Sequence, residues 1–262
     1  MKELMPAMKR FESLPRVDKG KTVSLAWFPD RKNLTLIGDV LLYLRLVLVI
    51  AHIVIEMRYI AFRQHFKDFT IFSRTEIESV DPRFQRRRLN EWQQKGYLKK
   101  IIKGFYIFAD TALNEETIFE AANRIYAPSY ISLEMALSHY GLIPESVYGI
   151  TSVTTRPTRT FVTPIGAFAY RTLKPRLYFG YDIVEYAPSK HYLMASPEKA
   201  LLDFLYLNPS IAKAEDFESL RLTRDSLLRH VKEDILFDYL SRFEQRSLSE
   251  RVTSFWRFVK NA

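Results

Sequence analysis

Apolar and polar positions along the chain divide it into segments of different period. After a polar opening to about Lys32, with no helical or strand period and expected to be poorly ordered, Leu34–Ile55 is almost continuously apolar. Tyr59, Ile60, Phe62 and Phe66 then lie at helical spacing and predict a first helix. Ser73, with Glu76 three positions on, has the form of a capping box, which predicts a short helix over Arg74–Val80. Asp81-Pro82 offers another cap with proline at the first helical position. The third helix is predicted over the run RFQRRRLNEWQQKGY, with Leu89 and Trp92 facing inward and Gly96 ending it. Strands follow at Tyr97–Ile102 and Phe105–Phe108 around a Lys103-Gly104 turn. Three helices and then a hairpin is the order of a winged helix-turn-helix.

Beyond Asn114 the pattern predicts helices at Glu115–Tyr126 and Ser132–Tyr140, the second ended by Gly141. From Val147 it turns to strands, in VYGITSVTT, RTFVT, AFAYRTL and LYFGYDIVEY. Ser196-Pro197-Glu198 caps an amphipathic helix, ALLDFLYL, and residues 211–262 read as helical, in DFESLRL, EDILFDYLSRF and ERVTSFWRFVK. The expected fold class is α+β: an N-terminal winged helix-turn-helix, a mixed α/β domain and a helical C-terminal part. The expected divisions are 1–56, 57–110, 111–207 and 208–262.

Leu34–Ile55 approaches the roughly 20 apolar residues that span a bilayer. Against that, Arg45 sits near its centre, where a charge costs about 2.5–3.5 kcal/mol, and Asp39 and His52 interrupt it further. A membrane span, a buried helix and a segment foreign to the functional protein compete here. The third is favoured, because Met57 opens MRYIAFRQHFKDF as an independent start would. Membrane attachment is therefore disfavoured, and the expected location is the cytoplasm.

Charge sharpens this division. The chain carries 39 basic and 30 acidic side chains, a net of +9. Residues 1–56 hold nine basic and six acidic, 57–110 hold twelve and six, and 111–262 hold eighteen of each. The excess lies wholly in the first 110 residues, most of it in the segment read as a winged helix. A basic block beside a neutral one points to an anionic partner for the first alone, with nucleic acid foremost. The absence of cysteine removes disulfides, thiolate nucleophiles and Cys-based metal sites, and no two of the five histidines are spaced as a metal pair.

In a helix-turn-helix, the N-terminal part of the last helix enters the major groove. That part carries Arg83, Gln85, Arg86, Arg87 and Asn90. Arginine can bond guanine O6 and N7 with both arms, and Gln or Asn matches adenine N6 and N7. Arg88 lies nearer the core boundary. Lys99, Lys100 and Lys103 fall on the hairpin, where phosphate contact is the natural role. Catalytic patterns are few. None of the eight glycines forms a phosphate loop or dinucleotide fingerprint, and Ser132, Ser152 and Ser254 have no nucleophile-elbow setting. Asp182 and Glu185, followed by Lys190, could be read as a metal-dependent nuclease site, although the spacing is common by chance. His139 and His191 read as structural. No catalytic residue, metal, cofactor or small-molecule substrate is expected. The 34 Tyr and Phe residues are read mainly as core, with any exposed fraction on the neutral part favouring a protein partner.

Over Tyr126–Leu173 the chain resembles the AbiEi antitoxins of type IV toxin–antitoxin systems. The resemblance rests on an ordered set: YISLE (130–134), YGLIP (140–144), TSVTT (151–155), Thr163-Pro164 with Gly166, FGY (179–181) and ASPEKALLD (195–203). It extends over roughly residues 57–207; residues 1–56 have no counterpart. It implies a winged helix that binds inverted repeats in the operon promoter and represses transcription. It further implies a domain that counteracts a nucleotidyltransferase-like toxin, AbiEii, encoded nearby, and no enzymatic activity of the chain itself. Carried over by position, DNA reading falls on Gln85, Arg86, Arg87 and Asn90, and the hairpin role on Lys99, Lys100 and Lys103. For the toxin only a region transfers, with Arg156, Arg159, Arg171 and Lys174 as candidate surface charges. A solitary winged-helix regulator and a membrane-tethered interaction protein remain as alternatives.

Overall fold

The computed structural model describes residues 45, 47–49, 58–144 and 149–261. The leader and most of the apolar stretch at 34–55 lie outside the described residues; of that stretch, Arg45, Val47, Leu48 and Val49 are helical and exposed. Among the described residues no helix is long and apolar enough to cross a membrane. The chain divides after Phe62 into two units, the second running Arg63–Ala262. Helix α1 covers residues 58–65; Tyr59 and Phe62 are buried, whereas Ile60, expected to share their face, is exposed.

The second unit is a mixed α+β structure with two sheets among the described residues. It begins with strand β1 (Phe72–Ser73), helix α2 (Arg74–Val80), helix α3 (Arg87–Gln94) and the hairpin β2 (Leu98–Ile102) and β3 (Phe105–Phe108). The first sheet has the order β1-β3-β2, all antiparallel. Strand β1 is too short to leave a pattern in the sequence. Helix α3 is shorter than the expected run from Arg83. Asp81 ends α2 instead of starting a helix: its backbone N–H donates to Ile77 O, and its Oδ1 accepts from Arg83 N at 3.0 Å. Together with a hydrogen bond from Phe84 N to Asp81 O, this makes a turn of residues 81–84.

Helix α4 (Glu115–Ile125) starts from a reciprocal cap between Asn114 and Thr117. Strand β4 (Ser129–Ile131) and helix α5 (Leu133–His139) follow. Then come β5 (Ile150–Thr154), β6 (Arg159–Thr163), β7 (Gly166–Thr172), a 3-10 turn at Pro175–Leu177, β8 (Tyr181–Ala187) and β9 (Lys190–Ala195). The expected strand through Leu177–Tyr186 therefore starts only at Tyr181, because Pro175 begins a helical turn ahead of it. The second sheet runs β6-β7-β5-β4-β9-β8, with parallel β5/β7 and β4/β9 pairs at its centre. Successive residues face opposite sides. On one side the Tyr170 hydroxyl donates to Ala122 O of α4, and Tyr192 packs on Phe119. On the other, Tyr130 and Arg171 reach helix α6 (Pro197–Leu207).

Ser196 caps α6 by accepting from Lys199 N, with Pro197 in the first turn. Behind α6 lie α7 (Ala214–Ser219), α8 (Arg224–His230), α9 (Glu233–Ser241) and α10 (Arg246–Asn261). Helix α10 buries Leu248, Val252, Phe255, Trp256 and Val259, the spacing of one helical face. Arg251 donates to the carbonyls of Leu205, Asn208 and Ile211, which satisfies the exposed end of α6 and the loop after it.

At the centre of this packing Lys199 and Asp203, one turn apart on α6, form an ion pair with both side chains fully buried. Lys199 Nζ also donates to Tyr130 OH at 2.9 Å. Asp203 Oδ2 accepts from the hydroxyls of Tyr130 and Ser132, each at 2.9 Å. The aromatic rings of Tyr130, Phe179 and Phe243 lie 5.1–5.5 Å from the ammonium. Burial pushes the Asp203 carboxyl up and the Lys199 ammonium down, each opposed by its partner's charge. Lys199→Met leaves a buried carboxylate without its cation and is expected to cost about 3–5 kcal/mol. The exposed pair Arg246–Glu250, broken by Arg246→Ala, should cost no more than about 0.5 kcal/mol. Urea unfolding of the two variants checks both figures.

Candidate nucleic-acid interface

Helix α2 is held at both ends by its own sequence. Ser73 Oγ accepts from Glu76 N at 3.2 Å, and Glu76 Oε2 accepts from Ser73 N at 2.6 Å. Gly104 O, at the hairpin turn, accepts from Arg74 N at 2.8 Å, so the turn between β2 and β3 is bonded to the start of α2. After the 81–84 turn, α3 begins at Arg87 with no side-chain cap. Leu89 and Trp92 are buried, as expected, and Phe84 packs on Trp92 with ring centroids 5.8 Å apart. The helix stops where Gly96 takes φ +74 and Tyr97 N donates to Trp92 O at 2.8 Å.

With Leu89 and Trp92 fixed inward, a turn of about 100° per residue places Arg87, Asn90 and Gln94 on the outward face of α3. All three are exposed. Arg88 is half-buried, with its guanidinium 5.9 Å from the Phe84 ring centroid, in keeping with its position at the core boundary. Arg83, Gln85 and Arg86 are exposed in the connection before the helix. Helix α3 packs against β2, on which Lys99 and Lys100 are exposed, and Lys103 is exposed at the turn. Lys99 pairs with Ile107 and Lys100 with Tyr106, so the two lysines project from opposite faces of the hairpin, and a bulge follows before Ile102.

Three residues of this surface escaped the sequence reading. Gln94 shares the outward face and was recognisable from the same helical spacing. Glu91 pairs with Arg87 at 2.9 Å and sits four positions from it, a relation also visible in sequence. Glu78, on α2, pairs with Arg74 at 2.8 Å and Arg86 at 3.2 Å. The contact between Glu78 and Arg86 depends on how α2 and α3 are placed, so no spacing announces it. The two arginines hold the Glu78 carboxyl below its ordinary range, Arg74 more strongly.

The other candidate residues are distributed differently. Asp182 and Glu185 lie three apart on β8, opposite Met194 and His191, so they project from opposite faces of the strand. Lys190 stands across from Ala187, beyond a bulge. These three do not form one constellation. Of the four proposed partner-facing charges, Arg171 is half-buried and its Nη2 donates to Leu207 O at 2.8 Å, at the C-terminal end of α6. Its guanidinium thus caps the carbonyl end of α6 while part of the side chain stays exposed. Arg156 stacks 4.0 Å from the Tyr126 ring centroid and donates to Ala127 O. Arg159 lies over Phe161, and Lys174 is exposed ahead of the 3-10 turn. His139 packs edge-on against Phe119.

No protein-family model matches the chain, and no curated protein matches it significantly. The outward residues and the core residues of α3 should separate on substitution. Arg87→Ala is expected to change stability by less than about 0.5 kcal/mol. Trp92→Ala, which empties a site only 1% exposed, should cost about 3–5 kcal/mol. Thermal unfolding monitored by circular dichroism distinguishes the two.

Proposed function

We propose that residues 57–110 form a winged helix-turn-helix that binds double-stranded DNA, and that the chain is the autorepressor and antitoxin of a type IV toxin–antitoxin operon. One observation carries the DNA-binding part. All eight residues assigned to that role, Arg83, Gln85, Arg86, Arg87, Asn90, Lys99, Lys100 and Lys103, are exposed, while the apolar residues of the same helix are buried. On this reading α3 is the recognition helix, the β2–β3 hairpin is the wing, and Gln94 joins the reading face. The antitoxin part rests on the resemblance to AbiEi proteins, with an AbiEii-like nucleotidyltransferase as the toxin.

Repression would work by occlusion. The arginines and Asn90 meet base edges in the major groove, and the lysines neutralise phosphates. Six to eight phosphate contacts make binding fall steeply with salt, since each released counterion adds about 0.9 to the slope of log K against log salt. An inverted repeat would engage two copies of the chain.

A mobility-shift titration with the duplex upstream of the chain's own reading frame tests this. A shift is expected at about 50 mM salt and should weaken by roughly 10³-fold or more at about 200 mM. Lys99→Ala/Lys100→Ala should weaken binding to all sequences alike and lower the salt slope by about two for each copy bound. Arg87→Ala/Asn90→Ala should instead narrow the gap between the upstream duplex and a scrambled one. No shift at low salt would refute the DNA-binding reading. The antitoxin reading is tested separately, by growth on co-expression with a neighbouring nucleotidyltransferase frame; no rescue from its toxicity would remove it.

A further inference from the structure

The two arginines that flank the start of α3 are each held by an acid. Arg86 Nε lies 3.2 Å from Glu78 Oε1, and Arg87 Nε lies 2.9 Å from Glu91 Oε1. The arginine side chains are 63% and 82% exposed, whereas Glu78 and Glu91 are only 37% and 34% exposed. The acids are thus set back against the protein and the cations stand in front of them. Each closest approach is through Nε, at the root of the guanidinium, so the Nη nitrogens at the tip remain donors for a further acceptor. Ion pairs as exposed as these add little to stability. Their consequence is geometric. An unheld arginine samples many rotamers and loses them on contact, and it can swing to whichever phosphate is near. A guanidinium held at its root keeps the orientation of its plane, which a two-bond contact with guanine O6 and N7 requires. A carboxylate behind it also repels the phosphate backbone, which penalises arrangements in which the arginine serves only as an anchor.

We infer that Glu78 and Glu91 are positioning residues that turn Arg86 and Arg87 from phosphate anchors into oriented base readers, so that the preferred duplex carries guanine opposite them. This rests on the DNA-binding reading above. Neither glutamate touches the DNA in this scheme; each acts through its arginine. Glu78 has a second role in joining α2 to the segment before α3, since it also binds Arg74.

The test selects duplexes from a random-sequence library with the full chain, then titrates the best selected duplex and a scrambled one. The wild type is compared with Glu78→Ala/Glu91→Ala and Glu78→Gln/Glu91→Gln. Wild type should enrich a guanine-bearing motif. The alanine pair should bind the scrambled duplex several-fold more tightly, because two negative charges are gone, while its preference for the selected duplex falls about tenfold. The glutamine pair loses the same charge but keeps an acceptor for Nε; it should bind the scrambled duplex as tightly as the alanine pair and retain more of the preference. Loss of fold would weaken both duplexes together, so tighter binding with less preference has no such origin. An alanine pair with wild-type preference, or a wild-type motif without guanine, overturns the inference. Absence of wild-type binding to any duplex overturns the DNA-binding reading and the inference with it.

Discussion

The buried Lys199–Asp203 pair is the constraint on which the neutral part of the molecule is organised. Two charges removed from water are tolerated only when nearly every donor and acceptor has a partner. Here the partners come from a different element: Tyr130 and Ser132, on β4 and just after it, bond to groups on α6. That requirement fixes which residues of α6 face the sheet, how far along β4 the helix sits, and which side of β4 Tyr130 occupies. Phe179 and Phe243 close the site around the ammonium and bring in the loop before β8 and the segment after α9. Gly180 belongs to the same arrangement. A Cβ there would lie 2.8 Å from Tyr239 and about 3.1 Å from Lys199 side-chain atoms, so only glycine lets the chain pass so close.

The same packing continues into the basic segment. Ile71, Ile101 and Ile107 belong to one hydrophobic cluster with Phe119, Tyr192 and Leu201. Polar contacts reinforce it: Arg124 of α4 pairs with Glu76 of α2, and Thr70 shares a hydrogen bond with Tyr186 of β8 at 3.0 Å. Glu76 therefore caps α2 and ties it to α4 at once. A basic segment and a neutral body that differ sharply in charge are joined by a shared core within Arg63–Ala262. On the proposed reading, it is the hairpin of the DNA-binding segment, through Ile101 and Ile107, that shares its core with the neutral body.

Much of this was legible in residue order because local chemistry decided it. Ser73–Glu76, Ser196-Pro197 and Gly96 act as the helix signals they resemble, and Leu89 and Trp92 point inward as their spacing requires. The misses have physical causes. Phe72–Ser73 and Ser129–Ile131 are two and three residues long, too short for a strand period. Lys190–Ala195 reads KHYLMA, whose apolar end serves a parallel central pair and so lacks alternation. Asp81-Pro82 has the chemistry of a cap, but Asp81 spends its side chain on a turn, and α3 starts four residues after Arg83. Ser132 stands at the N-cap of α5, as the expected helix start requires, but its hydroxyl donates to Asp203, 71 residues away, instead of accepting from the helix. The arginine–glutamate pairing of Arg86 was hidden for the same reason: it joins two helices whose relative placement no local pattern encodes.

The net charge of the basic segment conceals two kinds of cation. Arg74, Arg86 and Arg87 are matched to Glu78 and Glu91, so their charge is partly cancelled and their direction set. Lys99, Lys100 and Lys103 are exposed, and none has an ion-pair partner among the described residues. A long-range field depends on uncancelled charge, whereas orientation depends on the contacts that cancel it. On the proposed reading the lysines of the hairpin supply attraction that acts at a distance and ignores sequence. The arginines beside α3 give up part of that attraction in exchange for a fixed plane. The split between helix and hairpin is then a split between selectivity and affinity, and the acids that lower the segment's net charge are what separates the two.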